Sequence, residues 1–189
     1  MANDETQRIE EQLKAARSAF DGRPPIEKWD PEFSGDIDIH IQRDGTWLFK
    51  GNPLAREAMM RLFSTILRRE ADGEYYLVTP VEKWRLTVED APLVAHSLEV
   101  QGEGQSQQLL LTLNTGETLL VGKQHPLRVE TYPESDEPRP LVSVMHGLDA
   151  RLVTAAYYDL AEYVTPKPGD ESLLGVWSDG NFYELGREG

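Results

Sequence analysis

From Leu93 to Val121 the chain is written in short apolar runs, 93–100, 108–113 and 117–121, cut by Gly-bearing turns of which Asn114-Thr115-Gly116 is the clearest. Runs of this length between such breaks fold as strands, so this stretch requires a sheet. Segments 127–131 and 141–145 read as further strands, on either side of an acidic, Pro-rich stretch, 133–140, expected to be an exposed loop. Asp149 is placed to cap a helix reaching Tyr163. A last hairpin follows: 173–177, the turn Ser178-Asp179-Gly180-Asn181, and 182–185.

The first half mixes both periods. Residues 3–19 read as a helix capped by Asn3 or Asp4, with a thin apolar stripe of Ile9, Leu13 and Ala16 that predicts weak docking. Gly22-Arg23-Pro24-Pro25 ends it. Ile37, Ile39 and Ile41 alternate with Asp36, Asp38 and His40, a half-buried strand, and Arg43-Asp44-Gly45-Thr46 turns it back into Trp47-Leu48-Phe49. Asn52 as N-cap and Pro53 at the first position predict a second helix to Arg69, closed by Asp72-Gly73. Strands follow at 75–78 and 81–89. The expected fold class is α+β, in two halves, 1–90 and 91–189. A strand, glycine, helix, strand-pair order runs through Gly51, Leu54 and Arg56 and again through Gly147, Leu148 and Arg151.

Charge narrows the partners. The 189-residue chain carries a formal net charge of −14, which repels polyphosphates and argues against general nucleic-acid or anionic-membrane binding. It has no cysteine, so disulfides, thiolate metal sites and a Cys nucleophile are excluded. The polar segment 1–11 does not read as a signal peptide, and no apolar run has the length of a membrane span; a cytoplasmic protein without membrane insertion is expected.

No motif assigns a catalytic residue, a metal site or a cofactor. Gly102-Glu103-Gly104 lacks the helix and third glycine of a dinucleotide loop, no serine sits in a nucleophile elbow, and the histidines show no ligand spacing. Two constellations remain. Asp36, Asp38 and His40 share one strand face and could serve a metal-dependent hydrolase, or form only the wet side of a strand whose isoleucines face inward. Arg56 falls among the apolar positions of the predicted second helix, about 20° from Phe63 at 100° per residue. A cation there opposes the helix dipole. Either an anion bound at the helix start resolves this, with Asn52 as cap and Lys83 as supporting charge, or Arg56 snorkels or pairs with Asp36 or Asp38.

Several short motifs occur in a distinctive order: Gly35-Asp36-Ile37-Asp38-Ile39, Asp44-Gly45-Thr46-Trp47, Leu62-Phe63-Ser64, and Tyr76-Leu77-Val78-Thr79-Pro80-Val81-Glu82-Lys83. Glu89-Asp90-Ala91-Pro92, Gly147-Leu148, Tyr157-Tyr158 and Gly175-Val176-Trp177-Ser178-Asp179-Gly180 complete the set. Together they resemble a bacterial family known as domain of unknown function 1285. The resemblance spans roughly residues 30–185. It implies a duplicated α+β architecture, each half a helix on an antiparallel sheet, the second half superficially like a pleckstrin-homology fold. It implies no established activity, and points to ligand binding between the halves in a regulatory or signalling role. The expectation is therefore a non-enzymatic module holding a small anionic, possibly phosphate-bearing ligand through Arg56, Asn52, Lys83, Asp36 and Asp38. A protein-interaction adaptor and the hydrolase are the alternatives.

Overall fold

The computed structural model describes residues 5–189, so the Asn3 or Asp4 cap lies outside the described residues. The chain divides into two compact units: residues through Asp90 together with His146–Leu148, and Ala91–Met145 with Asp149–Gly189.

In the first unit, helix α1 (Glu5–Ala16) precedes strands β1 (Phe33–Ile41), β2 (Trp47–Phe49) and β3 (Asn52–Pro53). Helix α2 (Glu57–Ser64) leads to β4 (Leu67–Arg69), β5 (Tyr75–Val78) and β6 (Lys83–Val88). The sheet order is β3-β2-β1-β6-β5-β4. It is two antiparallel meanders joined by a parallel pair, β1 with β6, so the sheet is mixed rather than purely antiparallel. The isoleucines of β1 are buried as the alternation predicts, Ile37, Ile39 and Ile41 all facing the core.

The second helix differs from expectation at both ends. Lys50 and Gly51 both adopt positive φ, 51° and 81°. That is a type I′ turn, which folds β2 back onto β3 and pairs Asn52 with Phe49. Asn52 is thus a strand residue and not an N-cap, and Pro53 is tolerated because β3 is the sheet edge. At the other end, Leu67 pairs with Leu77 in β4. The positions Leu62, Phe63, Ile66 and Leu67 suit a helical stripe and a helix-to-strand transition equally, and sheet pairing decides.

The leading helix docks firmly. Ile9 and Leu13 are fully buried, a transfer free energy of about 3–6 kcal/mol for the two side chains. Polar contacts fix it further: Arg8 lies 3.0 Å from Glu82, and the Thr79 hydroxyl donates to Gln12 at 2.7 Å. The narrow stripe suffices because the rest of that face is held by hydrogen bonds and ion pairs.

The second unit runs β7 (Leu93–Gln101), β8 (Gln108–Leu113), β9 (Thr118–Leu120), β10 (Leu127–Thr131), β11 (Pro138–Ser143) and β12 (Asp149–Leu152). Helix α3 (Thr154–Ala161) and strands β13 (Thr165–Lys167), β14 (Asp170–Ser178) and β15 (Asn181–Arg187) complete it. The six-stranded sheet has the order β10-β11-β12-β7-β8-β9. This is the first sheet's order with each strand advanced by six, including the parallel central pair, here β12 with β7. The two halves are similar, each a sheet with a helix. The helix differs in place: α2 joins the two meanders of its sheet, whereas α3 follows the last strand and buries Ala156 and Leu160. Asp149 lies in β12 and does not cap α3, and residues 138–140 of the expected loop are strand, with Arg139 paired to Glu130.

Candidate functional site

The residues singled out in the sequence occupy three separate places in the first unit. Asp36, on the outer face of β1, accepts two hydrogen bonds from Arg85 at 2.6 and 3.2 Å, which hold its carboxyl below the usual range. Lys83 pairs with Glu70 at 3.0 Å and lies over the Tyr76 ring, 4.9 Å from its centroid. Asp38 is exposed, its main-chain carbonyl accepting the Lys50 N–H. His40 points its Nε2 towards Glu89 at 3.8 Å. Asp36, Asp38 and His40 therefore do not converge. Asn52 uses its side-chain amide on the Lys50 carbonyl.

Arg56 is the residue that precedes α2, with extended backbone (φ −129°, ψ 127°). The wheel position predicted for it does not apply, because the helix begins one residue later. Its guanidinium leaves the helix and donates to Glu10 of α1 at 2.7 Å, with 58% of the side chain exposed. The expected pairing with Asp36 or Asp38 is replaced by this one: Glu10 lies nearer on α1, and Asp36 is already engaged. Burial opposes ionisation of Glu10, but hydrogen bonds from Lys14 and Arg56 outweigh it and lower its pKa.

The outer face around Lys83 is a linked charge array. Glu70 accepts from Lys83 and from Arg68 at 2.7–3.0 Å; burial opposes its ionisation, yet these contacts hold its pKa low. The Tyr76 hydroxyl donates to Asp72 at 2.5 Å, and this bond, with burial, pushes its pKa up to about 12. Phe33 meets Tyr76 edge-on and lies under Arg85. Each cation here has a carboxylate partner, so the face has little capacity left for a free anion.

A different corner gathers three cations, of which Lys14 also pairs with Glu10 at 3.1 Å. A hollow of about 140 Å³ is lined by Leu13, Lys14, Arg17, Phe20, Gly22, Arg23, Pro24, Leu62 and Thr65. Its floor is apolar, its rim holds three cations, and no carboxylate lines it. The Arg17 guanidinium has no hydrogen bond or ion pair with any described residue. At the nearby carboxyl end of α2, Ser64 Oγ and Thr65 Oγ1 donate to the Arg61 and Leu62 carbonyls at 2.7 and 2.6 Å. Lys14 also lines a neighbouring hollow of about 330 Å³ that includes Glu10, Arg56 and Met59. Sequence reading missed Lys14, Arg17 and Arg23 because they come from a helix judged weakly docked and from the loop after it. Their separation by three and six residues was visible, but only the burial of Leu13 shows that they border a hollow.

The motif Thr79-Pro80-Val81-Glu82-Lys83-Trp84 is structural. Thr79 is fully buried and its hydroxyl accepts the Glu82 N–H at 2.9 Å. Glu82 accepts the Trp84 indole N–H and pairs with Arg8.

The architecture is that of a two-part α+β protein with two similar sheet-and-helix halves. Two family models match it along most of its length: the N-terminal domain of the domain of unknown function DUF1285 over residues 24–91, and the DUF1285 protein-of-unknown-function C-terminal domain over residues 92–185. The chain belongs to this family. Among solved structures it is similar to a DUF1285 family protein from Silicibacter pomeroyi DSS-3, at 41% identity and a TM-score of 0.82, over 93% of this chain and 94% of the other. It is also similar to a DUF1285 family protein from Shewanella baltica OS155, at 28% identity and a TM-score of 0.52, over 67% of this chain and 91% of the other. No curated protein matches.

Proposed function

We propose that the protein is a non-enzymatic binding module whose first unit takes a small anion at the hollow between the end of α1 and the end of α2. The observation that carries this reading is a rim of Lys14, Arg17 and Arg23 over an apolar floor with no lining carboxylate, in a chain of net charge −14. In such a chain a hollow rimmed by cations concentrates small anions while the overall field repels large polyanions. The floor of Leu13, Phe20 and Leu62 favours an anion with a short apolar body, and phosphate esters are the first class to test. Arg56 lines only the adjoining hollow, where it pairs with Glu10, and is not assigned to this site. The role proposed for such binding is regulatory.

A thermal-shift screen of phosphorylated metabolites, nucleotides and short-chain carboxylates tests it. A ligand present at a hundred times its Kd stabilises the fold by about 2.7 kcal/mol. The shift is expected to disappear on replacing Arg17 and Arg23 with glutamine. A ligand whose shift survives both replacements binds elsewhere and refutes this assignment.

A further inference from the structure

The second unit contains a larger hollow with different chemistry. It measures about 580 Å³ and is bordered by β9, the loop Gly122–His125 and the β14–β15 turn, a size suited to a small ligand.

One wall is rigid. Ser178 is fully buried, and its hydroxyl donates to the Val121 carbonyl at 2.6 Å while accepting the Leu109 N–H at 3.0 Å. Gln107 holds the same turn twice, donating to the Trp177 carbonyl and accepting the Asp179 N–H, each at 3.0 Å. Asp179 and Gly180 have φ of 51° and 78°, a type I′ turn. This fixes the Asp179 backbone and directs its carboxylate towards Gly122, where a Cβ would stand 3.3 Å from Oδ2.

A second wall carries a cation. The loop is closed by reciprocal main-chain bonds between Gly122 and His125, both 3.1 Å, with Lys123 between them. Asp179 and Lys123 line the same hollow, yet neither side chain has a hydrogen bond or ion pair with any described residue.

The third wall is an open sheet edge. β9 ends the six-stranded sheet. Leu113 N–H bonds the Glu117 carbonyl and Val121 N–H bonds the Leu109 carbonyl, so the odd-numbered residues of this segment turn their main-chain groups to β8. Those of Thr118 and Leu120, both lining the hollow, face the open side.

We infer that this hollow binds a short zwitterionic peptide, its ammonium on Asp179, its carboxylate on Lys123, and its amides along the Thr118–Leu120 edge. Opposite charges that share a hollow without pairing suit a ligand carrying both signs, and an edge strand supplies alternating donors and acceptors to a peptide backbone. Each charge-assisted contact corresponds to about tenfold in affinity or more.

The test is an NMR titration of the full chain with trialanine, with free alanine, and with trialanine acetylated at its amino end or amidated at its carboxyl end. Trialanine is expected to shift the amides of Gly122–His125 and Asp179–Asn181 saturably. Blocking either end is expected to weaken binding about tenfold, and alanine to bind more weakly than trialanine. Asp179→Asn, which keeps a residue tolerant of positive φ, is expected to weaken binding of trialanine but not of the acetylated peptide. Lys123→Gln is expected to weaken trialanine but not the amidated peptide. Leu120→Pro removes an outward N–H at a sheet edge and is expected to weaken trialanine relative to alanine. No saturable shift, or equal affinity for free and blocked peptides, overturns the proposal. Alanine binding as tightly as trialanine overturns the role given to the β9 edge.

Discussion

Replacing Ser178 with alanine tests how the last hairpin is tied to its sheet. In the wild type, Val121 N–H bonds the Leu109 carbonyl at 2.9 Å, but the reciprocal rung is interrupted: the Ser178 hydroxyl sits between the Leu109 N–H and the Val121 carbonyl. Alanine removes a hydroxyl that is fully buried and leaves one N–H and one carbonyl without a partner. Each stranded group costs about 1–3 kcal/mol, about 2–6 kcal/mol for the two, and with the part that β8 and β9 recover by drawing together the expected net loss is about 2–4 kcal/mol. At about 2–4 °C per kcal/mol for a chain of this size, the Tm falls by about 5–15 °C. Urea denaturation followed by circular dichroism gives the free energy, and scanning calorimetry the Tm. A change within about 0.5 kcal/mol, the range of an ordinary surface substitution, would show that the rung closes directly and that the hydroxyl is dispensable.

Gly175→Ala places a Cβ 2.1 Å from the Tyr183 carbonyl oxygen and 2.7 Å from the Phe182 ring; an overpacking loss of about 3 kcal/mol or more is expected in thermal melts. Arg56→Ala removes an ion pair whose cation is 58% exposed, so stability is expected to change by no more than about 1 kcal/mol in urea titrations. Glu70 has its folded pKa lowered from 4.5 by Lys83 and Arg68 against the opposing effect of burial. A lowered folded pKa means stability that is present above pH 4.5 and is lost as the pH falls through the folded value. Glu70→Gln is therefore expected to lower stability near neutrality and to flatten the acid limb of the urea midpoint against pH.

The strands were legible wherever local chemistry and tertiary pairing agree. Ile37, Ile39 and Ile41 alternate and are buried as read, and the Asp179-Gly180 turn forms where its residues predict. Errors fall where one pattern serves two structures. Asn52-Pro53 is a good helix start and also a tolerable edge strand, and the Lys50-Gly51 turn decides between them. Asp149 suits a helix cap, but its carboxylate instead holds Arg128 across the sheet at 2.8–3.1 Å. The parallel central pairs were invisible because they join strands far apart in the chain. Arg56 was legible as an unusual cation, but its partner Glu10 lies 46 positions away, and only the docking of α1 brings them together. The rim of Lys14, Arg17 and Arg23 was hidden for the same reason.

Isothermal titration calorimetry reads directly whether that rim holds an anion. The anion giving the largest thermal shift is titrated into the wild type and into the Lys14→Gln, Arg17→Gln, Arg23→Gln triple variant. One saturable site is expected in the wild type, weaker at higher salt. The triple variant is expected to lose at least tenfold in affinity, the loss of about one charge-assisted contact, while its circular dichroism spectrum is unchanged. Wild type that binds none of the anions, or a folded triple variant that binds as tightly as wild type, contradicts an anion site at that rim.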